Sequence, residues 1–122
     1  MRFLVVDDSA TMRRIVVNSL QRVGFTEVTE ASDGNEALEL LESVDFVITD
    51  WNMPKMSGAE FTRAVRSRED TRELPVIMLT ARSVRDDILT AMEAGVDSYV
   101  VKPFTPQVLR EKIDAVLAAR AV

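Results

Sequence analysis

The sequence predicts an α/β fold, a doubly wound five-stranded parallel sheet with helices on both faces. Two observations lead to this prediction. Short apolar runs alternate with helical stripes of apolar residues from one end of the chain to the other. Three of the runs are continuously apolar rather than alternating, which is typical of strands buried on both faces. Five strand–helix units in succession favour a parallel sheet, because each helix returns the chain to the start of the next strand.

The strand predictions follow from these runs. We predict strands at Arg2–Val6, Glu27–Glu30, Phe46–Thr49, Val76–Leu79 and Ser98–Val101. The second run is short and half polar, as expected at the edge of a sheet.

Capping signals bound the helices. Start signals stand at Asp33, Ser57, Ser83 and Thr105, and glycines that would end helices stand at Gly24 and Gly95. Glu60 follows Ser57 at the spacing of a capping box, and Pro106 occupies the favoured first position after Thr105. Arg13 and Arg14 are interpreted as a solvated face of the first helix.

The order of the strands decides what the sheet brings together. Of the two common doubly wound orders, the flavodoxin-like order 2-1-3-4-5 is the smaller, and it makes strands 1 and 3 neighbours. A length of 122 residues fits one compact domain, so we expect a single domain over residues 1–122. Because nothing follows the fifth helix, no output domain is expected.

Composition excludes several classes of protein. The net charge of −5 and a pI near 4.8 argue against binding to nucleic acid. No apolar run approaches the roughly 20 residues that span a bilayer, and the early first strand leaves no room for a signal peptide. The chain has no Cys, which is typical of cytoplasmic proteins, and no His, so histidine-based catalysis and histidine-ligated zinc are excluded.

Three acidic residues follow two of the predicted strands. Asp7 and Asp8 come directly after the first strand, and Asp50 comes directly after the third. These carboxylates should converge at one edge of the sheet, where each ionised pair about 5 Å apart costs roughly 3 kcal/mol at an effective dielectric near 20. A hard divalent cation with oxygen ligands is the natural way to offset this repulsion.

Two further polar residues end strands at the same edge. Thr80 follows the fourth strand and Lys102 follows the fifth. Three acids, a hydroxyl and an ammonium suit phosphoryl transfer to a carboxylate, with Asp50 as the nucleophile and the cations neutralising the phosphoryl oxygens.

The motifs in this order resemble response-regulator receiver domains, most closely those of chemotaxis. The resemblance rests on the segments Phe3–Asp8, Thr11–Val16, Thr49–Pro54, Thr80–Ala81 and Tyr99–Thr105. It implies that Asp50 is the phosphoacceptor and that Asp7, Asp8, Asp50 and the backbone carbonyl of Asn52 bind Mg²⁺.

The resemblance also implies a switch. Thr80 and Tyr99 resemble the switch pair of the family, Lys102 resembles its phosphate-contacting lysine, and the Lys102–Pro103 bond resembles its cis peptide. The expected partner surface comprises Val84, Ile88, Tyr99, Val101 and Phe104.

The function expected from the resemblance is that of a stand-alone, monomeric response regulator. A histidine kinase would donate the phosphoryl group, and the effector would be the flagellar motor switch or another protein. A phosphatase could also act on the chain, but no turnover of a separate substrate and no membrane insertion are expected. A phosphate sink or phosphorelay receiver remains open as the alternative.

Two other functions fit the residues less well. A Mg²⁺-dependent phosphohydrolase with an Asp nucleophile would need Asp-x-Asp, but residue 52 is Asn. A flavodoxin would need a phosphate loop after the first strand, where two acids stand instead.

Overall fold

The computed structural model describes residues 1–81 and 85–120, and within them the chain forms a five-stranded parallel sheet. The strands are β1 (Arg2–Val6), β2 (Glu27–Ala31), β3 (Phe46–Asp50), β4 (Val76–Thr80) and β5 (Ser98–Val101). Their order is β2-β1-β3-β4-β5, so both the predicted fold class and the predicted order are confirmed.

Three strands end one residue later than predicted. The additional residues are Ala31, Asp50 and Thr80. Each belongs to its strand because backbone pairing with the neighbouring strand continues after the apolar run has ended. The two functional candidates among them, Asp50 and Thr80, are therefore strand residues rather than loop residues.

The described residues contain five α-helices and one 3₁₀ turn at Leu41–Ser43. The helices are α1 (Ala10–Arg22), α2 (Gly34–Glu39), α3 (Gly58–Ser67), α4 (Arg85–Ala94) and α5 (Pro106–Arg120). The predicted start of the fourth helix at Ser83 lies outside the described residues.

The predicted caps are present at the other helix ends. Asp33 accepts a hydrogen bond from the Glu36 amide, and Ser57 forms the complete capping box with Glu60. The Thr105 hydroxyl accepts from the Val108 amide at 3.1 Å. Gly24 and Gly95 have φ of +99° and +104°, the left-handed conformation that ends a helix at little cost for glycine.

Two cores cover the two faces of the sheet. Helices α2, α3 and α4 enclose one core, with Phe61 of α3 fully buried in it. Helices α1 and α5 enclose the other, where Leu20 and Ile113 are fully buried. Strand residues alternate between the cores, so that Phe3 belongs to the second and Leu4 to the first.

The strand register positions the polar edge. Val6 lies beside Thr49, so the next residues along the two strands, Asp7 and Asp50, come to the same point of the edge. Thr80 pairs with Val101, which brings Lys102 to the neighbouring position. No helix within residues 1–81 and 85–120 is long and apolar enough to cross a membrane.

Candidate functional site

The carboxylates of Asp7, Asp8 and Asp50 meet at the carboxyl-terminal edge of the sheet. One oxygen from each of the three lies within 4.8 Å of the others. Their predicted convergence is confirmed, while their role as metal ligands stays a prediction.

Asp7 is the most deeply buried of the three acids. It is 2% exposed, its Oδ1 accepts a hydrogen bond from the Ser9 amide at 2.9 Å, and its buried Oδ2 has no hydrogen-bond donor among the described residues. Burial raises the pKa of Asp7, and the charges of Asp50 and Asp8 act in the same direction. The Ser9 amide and the Lys102 ammonium oppose this rise in the pKa without cancelling it.

Lys102 supplies a counter-charge inside the cluster. Its Nζ lies 2.8 Å from Asp50 Oδ1 and 3.9 Å from Asp7 Oδ2. The peptide bond from Lys102 to Pro103 is cis, as the resemblance implied. The repulsion among the acids is therefore partly offset by the protein itself, before any metal is considered.

Thr80 and Asn52 differ in their surroundings. Thr80 is 3% exposed at the end of β4, and its carbonyl accepts a hydrogen bond from the Lys102 amide at 2.8 Å. Asn52 is exposed in the connection from β3 to α3. Its proposed contribution, a backbone carbonyl ligand, stays a prediction.

Sequence reasoning did not identify Gly58, which lies against the backbone of Asp50. A Cβ at this position would stand 2.3 Å from the Asp50 carbonyl oxygen and 3.1 Å from the Cα of Trp51. The Gly58 amide also donates to the Trp51 carbonyl at 2.8 Å. One signal in the sequence could have indicated this contact. Gly58 occupies the first position of a well-capped helix, although other residues have a higher helix propensity.

The interpretation of Arg13 as a solvated residue is wrong, whereas Arg14 is exposed as expected. The side chain of Arg13 is only 18% exposed, and its guanidinium donates to the Asp7 carbonyl at 2.7 Å. The position of Arg13 along the helix could not reveal this contact, because the acceptor is a backbone atom outside the helix.

The residues of the predicted partner surface lie on different parts of the fold. Tyr99 is half-buried against the core under α2–α4, with the Lys112 ammonium 5.7 Å from its ring centroid. Phe104 packs instead against the core under α1 and α5. Ile88 and Val101 are half-buried, and Val84 lies outside the described residues.

The large exposed apolar side chains of α4 are Leu89 and Met92, which are 47% and 43% exposed. Neither residue is among the predicted contact residues. The exposed apolar surface on α4 is therefore formed by the residue after Ile88 and by the residue one turn further along the helix.

Comparison with known proteins agrees with this arrangement. The model of the response regulator receiver domain family matches residues 3–114. The chain is 54% identical over 118 residues to the chemotaxis protein CheY of Pseudomonas aeruginosa, covering 95% of each chain. It is 50% identical over 120 residues to CheY1 of Helicobacter pylori, covering 96% of this chain and 97% of that protein.

Solved structures give the same result. Chemotaxis protein CheY4 of Vibrio cholerae superposes with a TM-score of 0.87 at 37% identity, over 94% of this chain and 97% of that one. The receiver domain of a sensor histidine kinase from Pseudomonas aeruginosa, solved with a magnesium ion coordinated in its active-site cleft, has a TM-score of 0.86 at 28% identity, over 96% and 97% of the two chains. With this fold, this acidic edge and these relatives, the chain belongs to the response regulator receiver domain family.

Proposed function

We propose that this chain is a chemotaxis response regulator in which Asp50 accepts a phosphoryl group from a histidine kinase. The observation that supports this best is the surroundings of Asp50: its carboxylate ends β3, is paired with the Lys102 ammonium at 2.8 Å, and faces Asp7 and Asp8. The similarity to proteins named CheY supports the assignment to chemotaxis.

The residues present fit a hard divalent cation. Three carboxylate oxygens lie within 4.8 Å of one another, and the buried Oδ2 of Asp7 lacks a hydrogen-bond donor among the described residues. Oxygen ligands of this kind are those that Mg²⁺ prefers. We assign Asp7, Asp8, Asp50 and the backbone carbonyl of Asn52 to this site. When bound, Mg²⁺ neutralises negative charge on the phosphoryl group during transfer.

The protein's own residues then have distinct roles. A carboxylate oxygen of Asp50 attacks the phosphorus, and an O–P bond forms as the P–N bond to the kinase histidine breaks, the imidazole leaving with the bonding electrons. The Lys102 ammonium, already at Asp50, stabilises the phosphoryl oxygens. The Thr80 hydroxyl donates a hydrogen bond to one of them.

The phosphoryl group changes the affinity for an effector, which we propose to be the flagellar motor switch. Thr80 moves toward the phosphoryl oxygens, and Tyr99 rotates into the space that Thr80 leaves. The chain has an inactive and an active conformation in equilibrium. Phosphorylation shifts this equilibrium by the difference in free energy with which the phosphoryl group interacts with the two conformations. The effector contacts Ile88, Tyr99 and Val101, and in this role the chain is a cytoplasmic signalling protein rather than an enzyme with its own substrate.

The experiment that tests this proposal is phosphorylation of the purified chain by acetyl phosphate or a phosphorylated kinase in the presence of Mg²⁺. Intact-mass measurement is expected to find one added phosphoryl group, labile to base and hydroxylamine as an acyl phosphate is. Asp50→Asn should abolish the addition. Asp70→Asn, the same change at an exposed acid, should have no effect and serves as the control.

Two outcomes would contradict the proposal. Stoichiometric labelling of Asp50→Asn would refute the assignment of the phosphoacceptor. A wild-type chain that neither donor labels would refute the function as a whole. Retention of flagellar switch protein only by the phosphorylated chain would separate a motor regulator from a phosphate sink.

A further inference from the structure

The guanidinium of Arg13 connects three parts of the fold beside the acidic cluster. Its Nη1 donates to the carbonyl oxygen of Asp7 at 2.7 Å, and its Nε donates to Oε1 of Glu30 at 3.2 Å. The arginine belongs to α1, Asp7 follows β1, and Glu30 belongs to β2. A side chain that is only 18% exposed and makes directed contacts to two other elements is not a solvated surface arginine.

The position of Arg13 in α1 explains why it can reach these acceptors. Ser9 caps the helix, and the Arg13 amide donates to the Ser9 carbonyl at 3.0 Å in the first helical turn. Long side chains in a helix point back toward its N-terminus. Because α1 begins directly after the two acids, a long side chain one turn into the helix returns to the backbone of Asp7.

The carbonyl that Arg13 binds belongs to the peptide linking Asp7 to Asp8. The preceding side of Asp7 is fixed as well, since its amide donates to the Ala31 carbonyl at 3.1 Å. The orientation of this peptide plane sets the direction of the Asp8 side chain relative to the Asp7 side chain. Asp8 is exposed, unlike Asp7. Arg13 therefore acts on the relative placement of two carboxylates without touching either of them.

We propose that Arg13 is a positioning residue, which holds the Asp7–Asp8 peptide in the orientation that the two carboxylates need to bind a divalent cation together. This inference rests on the proposed Mg²⁺ site. The charge of Arg13 has the opposite effect on Mg²⁺ binding, because a positive charge near the cluster repels Mg²⁺. The two effects predict opposite signs: loss of positioning weakens Mg²⁺ binding when Arg13 is replaced, whereas loss of the charge alone tightens it.

The test compares Mg²⁺ affinities of matched variants by calorimetric titration with MgCl₂. Arg13→Met removes both the charge and the hydrogen bonds, and Arg13→Lys keeps the charge but loses the two-pronged contact to Asp7 and Glu30. Arg14→Met is the control, because it removes the same charge from an exposed neighbour on the same helix. Loss of outer-sphere support typically costs 10–100-fold in metal affinity, so we expect both Arg13 variants to bind Mg²⁺ about tenfold more weakly and Arg14→Met to bind as the wild type does.

A metal-free measurement isolates the positioning step. The amide of Asp8 belongs to the peptide whose carbonyl Arg13 binds, so its ¹⁵N and ¹H shifts report directly on that hydrogen bond. In Mg²⁺-free protein, Arg13→Met and Arg13→Lys should shift or broaden the Asp8 amide resonance, and Arg14→Met should leave it in place. If Arg13→Met does not fold, Arg13→Lys carries both measurements.

The outcomes separate the inference from the function on which it rests. Equal or tighter Mg²⁺ binding by both Arg13 variants, with a wild type that binds Mg²⁺, would overturn the positioning role and leave the metal site intact. A wild type that binds no Mg²⁺ would overturn the proposed site and this inference together. The positioning role is established if both Arg13 variants bind Mg²⁺ more weakly and displace the Asp8 amide resonance while Arg14→Met does neither.

Discussion

The three acids of the cluster differ at the level of single residues. Asp7 is buried and its pKa is raised, Asp50 is paired with Lys102, and Asp8 is exposed. Burial is the main reason why ionisation of Asp7 is unfavourable, and repulsion from Asp50 and Asp8 adds to it. An exposed charge such as Asp8 is screened by water and salt, and replacing Asp50 also removes an ion pair.

Asp7→Asn should accordingly stabilise the metal-free protein, by about 1–3 kcal/mol at neutral pH. The folded-state pKa of Asp7 lies above its unfolded value near 3.8, so ionisation of Asp7 opposes folding at neutral pH. That cost disappears as the pH falls through the folded-state pKa. The difference in urea-unfolding free energy between Asp7→Asn and wild type should shrink on acidification. A difference that is constant with pH, or of the opposite sign, would contradict the prediction.

Mg²⁺ should relieve the same repulsion in the wild type. We expect millimolar Mg²⁺ to raise the melting temperature, because a ligand that binds only the folded state stabilises it. The increase should be smaller in Asp8→Asn. Trp51, directly after Asp50, should report the binding by a change in fluorescence. A melting curve and an emission spectrum that ignore Mg²⁺ would argue against the site.

At the scale of elements, the start of α3 is built against the end of β3. The capping box at Ser57 fixes the first turn, and Gly58 then touches the Asp50 carbonyl. Gly34 provides a comparison, because the three atoms nearest to a Cβ at that position all belong to the flexible side chain of Met56. The glycine at 58 is required by a backbone contact and the glycine at 34 is not.

Gly58→Ala should therefore destabilise the fold by about 1–3 kcal/mol and slow phosphorylation by acetyl phosphate, since either α3 or the Asp50 backbone must move. Gly34→Ala should cost less and leave phosphorylation unchanged. Urea unfolding and the phosphorylation rate measure the two effects. Wild-type behaviour of Gly58→Ala in both would show that the contact does not constrain Asp50.

The proposed effector surface on α4 can be tested at Leu89, the exposed residue that follows Ile88. Leu89→Asp should weaken binding of the phosphorylated chain to its effector by about tenfold, the effect of roughly 1.4 kcal/mol, without slowing phosphorylation by acetyl phosphate. Ile15→Asp is the matched control, because Ile15 is similarly exposed, at 44%, but belongs to α1. Equal loss of affinity in both variants would mean that α4 is not the contact surface.

At the scale of the whole molecule, a network of ion pairs lies at the end of the sheet opposite the acidic edge. Asp97, just before β5, accepts from the Val76 amide and pairs with Arg66 of α3 at 3.1 Å and Arg120 of α5 at 2.7 Å. Burial lowers the pKa of the Arg66 guanidinium, and Asp97 opposes that change. One carboxylate thus joins helices from both faces of the sheet to its two last strands.

Asp97→Ala should destabilise the protein by about 2–4 kcal/mol, because it removes the carboxylate that two guanidinium groups and a strand amide share as an acceptor. Mg²⁺ affinity should not change, since the network lies at the other end of the strands. Denaturant unfolding and Mg²⁺ titration measure the two quantities. A large change in Mg²⁺ affinity with little change in stability would contradict this division of roles.

Local sequence signals were sufficient to predict the fold class, the strand order and the convergence of four charged residues. Strand runs and helix caps are local signals, and the order of a doubly wound sheet then dictates which strand ends are neighbours. Asp7, Asp8, Asp50 and Lys102 could be assigned to one edge in this way, because a residue that directly follows a strand is placed by the backbone alone. The single-domain prediction and the individual roles of these residues stay predictions.

The burial and the contacts of individual side chains became known only from the packed structure. Four features depend on contacts between different parts of the fold, whether near or far in sequence: the burial of Asp7, the contact of Arg13 with a backbone carbonyl, the lack of space at Gly58 and the packing of Phe104 on the α1–α5 face. Periodicity states which face of an element is apolar, but not which backbone groups approach that element. The packing of helices on the sheet determines which backbone groups lie near each element. Side chains fill the available volume and form their hydrogen bonds only when all the elements are in place.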